Sequence, residues 1–247
     1  PQFIVQGQLA GRLTKAWQVD KLDAELRSGQ GDFNLDGLLG DMPLEFSNLA
    51  AFVSYDRAAQ KVVLHDTHVD VNGQTIQLSG EKLGGSDNPV FDLRVFIPET
   101  SFDQIQSLWP ENQRDTLAAD WLTKRLSKAK IKNLSVNLPI NIAQPEQLDT
   151  SKLRGQFDYE NLTADYRAPL TPVTEARGKA TLEGDTLDIE VKSGKLAELS
   201  IQKGRVTITH LTHPTTVGEV VIDADGVGPV ATVLDYIARE PILLGEK

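Results

Sequence analysis

The sequence predicts a mainly β fold: a long antiparallel meander, interrupted by an amphipathic helical insert and followed by a short C-terminal helix. Three observations carry this reading. Apolar residues alternate with polar ones over most of the chain, which is the pattern of strands with one face turned inward. Short turns containing Gly separate these runs; Asn72-Gly73 is the strongest, because both positions of a two-residue hairpin turn need positive φ. The alternation gives way to helical spacing in only two stretches, beginning at Ser101 and at Gly228.

Taken in order, Lys61 to Val71 is rich in β-branched residues, and Gln74 to Ser79 resumes the alternation after the Asn-Gly turn. From Ser101 the spacing becomes helical, with Phe102, Ile105 and Leu108-Trp109 on one side. Pro110 closes that helix and opens the next. In the second helix Leu117 and Trp121 lie four apart, as do Ala118, Leu122 and Leu126, giving an apolar stripe. Asp115 and Asp120 come early and Lys124, Arg125 and Lys128 late, as the helix dipole favours. Strands then return. Thr181-Leu182 turns at Glu183-Gly184-Asp185 into Leu187, Ile189 and Val191. Ser193-Gly194-Lys195 is expected to turn into Ala197, Leu199 and Ile201, and Gln202-Lys203-Gly204 into Val206 and Ile208. A last strand holds Val220, Ile222 and Ala224, and a third helix runs from Gly228-Pro229 to Glu240, where Pro241 stops it.

The expected organisation is one continuous module: a first β-meander over 1–100, the helical insert over 101–130, a second meander over 131–227, and the short helix and exit over 228–247. Val90–Trp109 and Glu219–Glu240 each read as a strand running into a helix with Pro directly after, a weak internal repeat. Roughly fourteen strands against three helices leave much of an apolar sheet face without cover. Such a sheet either folds back on itself as a sandwich or barrel, or leaves an apolar trough.

Composition narrows the function classes. The 247 residues carry 25 Lys and Arg against 35 Asp and Glu, a net charge of −10, which disfavours a nucleic-acid partner. The absence of cysteine excludes disulfides and thiolate zinc sites. No run of about 18 apolar residues is present to span a membrane. The chain begins at Pro1 and holds a single Met, at 42, so it is expected to be part of a longer protein.

Candidate chemistry is sparse. His65-x-x-His68 and His210-x-x-His213 would suit a metal on a helix, but on strands residues i and i+3 point to opposite faces. Asp32-Phe-Asn34-Leu-Asp36-Gly37 opens like a calcium loop, yet its twelfth position is Pro43 rather than a carboxylate. Asp223 and Asp225 share a strand face but read as a solvated edge. Neither a nucleophile elbow nor a phosphate loop nor an H-E-x-x-H motif occurs. Neither a metal nor another cofactor is expected, and no enzyme activity. Lys124, Arg125, Lys128, Lys130 and Lys132 form a basic cluster that suits either contact with an anionic surface or a solvated helix C-terminus.

Leu108-Trp109-Pro110, then Ala119-Asp-Trp121-Leu122, Leu126 and Ile131-Lys-Asn133-Leu134, resemble the helical insert of AsmA-like envelope proteins of the YhdP and TamB type. There a W-P turn and a W-[IL] helix lead into a strand beginning I/V-x-[ND]-[LA]. Gly204-Arg-Val206-Thr-Ile208, Val220-Val-Ile222 and Gly228-Pro229 through Pro241-Ile242 resemble the same proteins' closing strands and helix. Lys128-Ala129-Lys130 departs from the pattern, since many relatives carry Gly before the strand. The resemblance implies a segment of a protein of Gram-negative bacteria that is anchored in the inner membrane and spans the periplasm. It also implies an open, taco-like apolar β-groove serving phospholipid transport and outer-membrane integrity, similar in plan to chorein-type lipid bridges. Its partners would be phospholipid or another acyl lipid, adjoining segments of the same longer chain, and envelope proteins.

The residues agree with that plan. A strand of about 8 residues is roughly 26 Å long, enough to wall in an acyl chain. Two tails with about 30 methylenes cost on the order of 24 kcal/mol to expose to water, so a carrier must shield the tails and has no need of a dense polar site. Alternation nominates Val62, Leu64, Ile76 and Leu78 as lining in the first meander. In the second it nominates Leu187, Ile189, Val191, Val206, Ile208, Val220 and Ile222. The helix bearing Leu117, Trp121, Leu122 and Leu126 would plug or cap the trough, or dock against its rim. A closed β-sandwich serving as a structural or partner-binding domain is the alternative.

Overall fold

A computed structural model describes residues 3–13, 17–33, 44–83, 89–109, 115–144, 149–213 and 218–239. Among these are thirteen strands: β1 (Phe3–Leu13), β2 (Trp17–Phe33), β3 (Leu44–Asp56), β4 (Lys61–Val71), β5 (Gln74–Leu83), β6 (Val90–Ser101), β7 (Leu126–Ser127), β8 (Lys130–Asn141), β9 (Arg154–Ala164), β10 (Val173–Glu183), β11 (Thr186–Leu196), β12 (Leu199–Thr209) and β13 (Glu219–Val227). Twelve follow one another in a single open antiparallel sheet in sequence order, with β7 off the path beside β9. Among the described residues β1 and β13 do not pair, so the sheet is not closed into a barrel. The chain divides into two compact units, one of residues 1–98 with 134–155, the other of 99–133 with 156–247.

In the first unit Asn72 and Gly73, with φ of 50° and 75°, make the expected hairpin turn between β4 and β5. Gly80 faces the Phe91 ring, and a Cβ there would lie 2.6 Å from the ring's Cε1. Phe46, Val69 and Val71 are buried, and Phe46 sits directly opposite Val71.

In the second unit two expected turns fall elsewhere. Gly194 and Gly204 lie inside β11 and β12, and the chain reverses at Ala197-Glu198, where Ala197 takes a φ of 52°. Gly204 serves close approach rather than turning, since a Cβ there would come within 3.0 Å of the Asp223 carbonyl.

Helix α1 (Phe102–Ser107) starts as expected at Ser101, through a capping box with Gln104. The expected helix start at Pro110 lies outside the described residues, as do 111–114; helix α2 (Leu117–Asp120) is capped by Thr116, which accepts from the Ala119 amide. It continues as a π turn over Trp121–Arg125, closed by the Leu126 amide donating to the Trp121 carbonyl. There it ends, short of the expected Lys128, because Leu126 and Ser127 pair with Ala164 and Thr163. Lys128 takes a left-handed φ of 62°, a conformation that favours Gly. Lys128→Gly is therefore expected to stabilise the chain by about 0.5 kcal/mol, the relief of Cβ strain slightly exceeding the entropy lost, read as a small rise in Tm. Helix α3 (Val230–Ile237) follows β13, as α1 follows β6.

Candidate functional site

Register places the nominated lining residues of each unit on a common face. In the first unit Val62 lies opposite Tyr55, and Leu64 opposite both Val53 and Gly80. Ile76 lies opposite Val69, and Leu78 opposite Thr67 and Val95. The register shift between Leu64 and Thr67 keeps both on that face, and all four nominated residues are half-buried.

The second unit shows the same design as rows crossing four strands. Leu182, Leu187, Ile208 and Val220 form one row; Ala180, Ile189, Val206 and Ile222 the next; Gly178, Val191, Gly204 and Ala224 a third. The opposite face is polar, with Lys179, Glu190, Arg205 and Asp223 in register. Exposure rises across the face, from Ala180 and Ile208 at 1% to Val220 at 38% and Ile222 at 49%.

Part of that face is already filled by protein. Leu117 and Trp121 pack on Ile208 and Leu211, with Leu126, Leu187, Ile189 and Val206 around them. The Leu117 and Ala118 amides donate to the His213 and Leu211 carbonyls at 2.9 and 3.0 Å. Gly218 leaves room for the Leu117 side chain, which a Cβ would strike. Leu122 is buried, and its carbonyl accepts from Gln106 Nε2 at 2.5 Å. The helix face thus docks on the nominated lining, and Ile208 lies beneath it, closed to a ligand.

The basic cluster is dispersed. Lys124 and Arg125 both bind Asp120, at 3.0 and 2.7 Å, and the Arg125 guanidinium stands 5.9 Å from the Trp121 ring centroid. Burial pushes the Asp120 pKa up, but hydrogen bonds from Arg125 and Lys124 outweigh it and hold the carboxyl below its ordinary range. Lys130 and Lys132 belong to β8 rather than to a helix end; they pair with Glu99 and Glu160, each at 2.8 Å. Lys128 is exposed.

Other nominated groups show ordinary partners. His65 Nε2 meets Ser54 Oγ at 2.9 Å, while the His210 and His213 rings stand edge to face at 5.6 Å beside Asp185. No group of three or more potential metal ligands occurs among the described residues. Asp225 pairs across the strand with Lys203 at 3.1 Å. Residues 34–43 of the calcium-like stretch lie outside the described residues, as do Glu240-Pro241 at the end of the third helix. Sequence reasoning missed Gly178 and Tyr159. The Tyr159 hydroxyl donates to the Glu190 carbonyl at 3.0 Å against Gly178, a contact between strands with no local signal.

No helix among the described residues is long and apolar enough to cross a membrane. Neither the curated proteins nor the solved structures contain a match to this chain. The family model described as YhdP protein matches residues 9–244. With nearly its whole length matched and its strands in one open sheet, the chain belongs to the YhdP family.

Proposed function

We propose that this chain is a non-enzymatic segment of an envelope protein whose apolar sheet face shields lipid acyl chains, supporting phospholipid movement between inner and outer membranes and outer-membrane integrity. The observation that carries the reading is the set of apolar rows in the second unit, which run from buried positions to Val220 and Ile222, still 38% and 49% exposed. An apolar face left in water at its β13 side is suited to receive an apolar ligand. Family membership supports an envelope protein without a catalytic role. A periplasmic setting, an inner-membrane anchor outside these residues, and contact with adjoining segments and envelope proteins belong to the same proposal.

Native mass spectrometry of the chain purified from cells tests it, with retained phospholipid as the expected result. A clean apo mass together with no binding of a fluorescent fatty acid would overturn it. Ile222→Asp sharpens the test, because this side chain is half in water and carries no helix above it in the Leu117–Trp121 cluster. The variant is expected to fold normally and to bind the fatty acid at least about tenfold more weakly, equivalent to about 1.4 kcal/mol.

A further inference from the structure

The two helices of the second unit are attached in opposite ways. α2 and its π turn bury Leu117, Ala119, Trp121 and Leu122, whereas α3 fully buries no side chain, Thr232, Tyr236 and Ile237 being half-buried. Val230, Val233, Leu234 and Ile237 recur at i, i+3, i+4 and i+7, so α3 carries one apolar stripe. Most of that stripe is in water, with Val230 73%, Leu234 57% and Val233 39% exposed, and only Ile237 at its end half-buried. On the other side of the helix, about half a turn round, polar groups hold it. Thr232 Oγ1 donates to the Glu198 carboxylate at 3.0 Å, the Tyr236 hydroxyl meets that of Tyr166, and Arg239 Nη1 donates to Thr171 Oγ1 at 3.3 Å. Glu198 belongs to the β11–β12 turn, and Tyr166 and Thr171 to the β9–β10 connection. Tyr166 in turn packs against the Leu117–Trp121 cluster, and Gly228, just before α3, abuts Leu199. A helix docked on a core has the reverse orientation, apolar side in.

We propose that α3 is a displaceable strap over one end of the second unit's apolar face, releasing its polar anchors to admit an acyl chain and covering that chain with its apolar stripe. This rests on the lipid-shielding reading above. Water replaces the exposed Thr232 and Arg239 hydrogen bonds at little cost, which leaves the part-buried Tyr236–Tyr166 contact and a half-buried Ile237 as the main hold on α3, so its opening is local. An acyl chain gives the stripe an apolar partner, the differential contact that a ligand needs to shift an equilibrium.

The lack of cysteine makes the test clean. Glu198→Cys with Thr232→Cys introduces the chain's two thiols, which dibromobimane tethers across the first anchor. Uptake of a fluorescent fatty acid is followed by stopped flow, and amide exchange in α3 is compared with that of residues 119–125. The tether is expected to slow uptake by about tenfold or more, the untethered variant taking up lipid at least as fast as the parent; α3 amides should exchange about tenfold faster than those of α2. Uptake indifferent to the tether, or α3 amides as protected as those of α2, sinks the strap alone. No uptake by the parent chain sinks the lipid reading and the strap together.

Discussion

Ile208→Asp is expected to cost the second unit about 5 kcal/mol, enough to abolish its cooperative unfolding transition. Ile208 is 1% exposed and lies under Leu117 and Trp121, beside Leu211. The substitution removes a buried aliphatic side chain, worth roughly 2–3 kcal/mol, and leaves a carboxyl group in a site lined by apolar side chains. Denaturant titration followed by circular dichroism measures the loss. Ile222→Asp, on the same face but 49% exposed, is expected to shift the midpoint by less than about 1 kcal/mol. A stable Ile208→Asp chain would mean that α2 does not dock where the structure puts it. The pair separates residues that hold the fold from residues free to meet a ligand, a distinction that strand alternation alone does not make.

Gly178→Ala is the second large effect, expected at about 3 kcal/mol. A Cβ at this position would overlap the Glu190 carbonyl on the neighbouring strand and lie 2.7 Å from the Tyr159 hydroxyl. Tyr159 is 2% exposed, and its hydroxyl donates to that same carbonyl at 3.0 Å. Burial, and secondarily the Glu190 charge, push the phenol pKa above its ordinary value, so it remains a donor throughout the neutral range. Tyr159→Phe removes only the hydrogen bond and is expected to cost about 1 kcal/mol. Combined with Gly178→Ala it should recover part of the alanine penalty, since one of the two clashing groups is gone. Thermal unfolding of the four chains gives the coupling directly. Simple additivity would show that Tyr159 does not cross Gly178.

The fold class was legible because period-two alternation is a local signal and most strands obey it. What escaped is what interrupts the alternation. In β12 the inner face is carried by Ile201, then by Gly204, Val206 and Ile208, an offset of three caused by the bulge between Ile201 and Lys203. Read from sequence, that offset looked like a turn at Gly204. A related interruption recurs three times in the chain. Phe46-Ser-Asn48-Leu49, Ile131-Lys-Asn133-Leu134 and Tyr159-Glu-Asn161-Leu162 share one pattern. In each, a buried side chain precedes an Asn with φ between 52° and 58°, a conformation that Asn tolerates better than most residues. Asn48 and Asn133 then donate to Asp70 and Asp158 across the strands. The Asn of the strand-opening pattern at 131–134 is thus a backbone requirement. Among the candidate lining residues, register within each unit followed from alternation. The burial of Ile208 did not, because it depends on where α2 lands, and neither did the pairing of Lys130 and Lys132 with distant carboxylates.

β13 also bears on self-association. Among the described residues it ends the strand order, and every one of its residues is exposed, Val220, Val221, Ile222 and Val227 included. Exposed apolar strands at the end of a sheet can template the addition of further strands from other molecules. Glu219, Asp223 and Asp225 interrupt the apolar sequence at alternate sites and act as gatekeepers, making an approaching copy of β13 meet like charge. The same strand that leaves apolar surface open to a ligand therefore carries its own brake on aggregation, and that brake is electrostatic, strongest in dilute salt and with its carboxylates ionised.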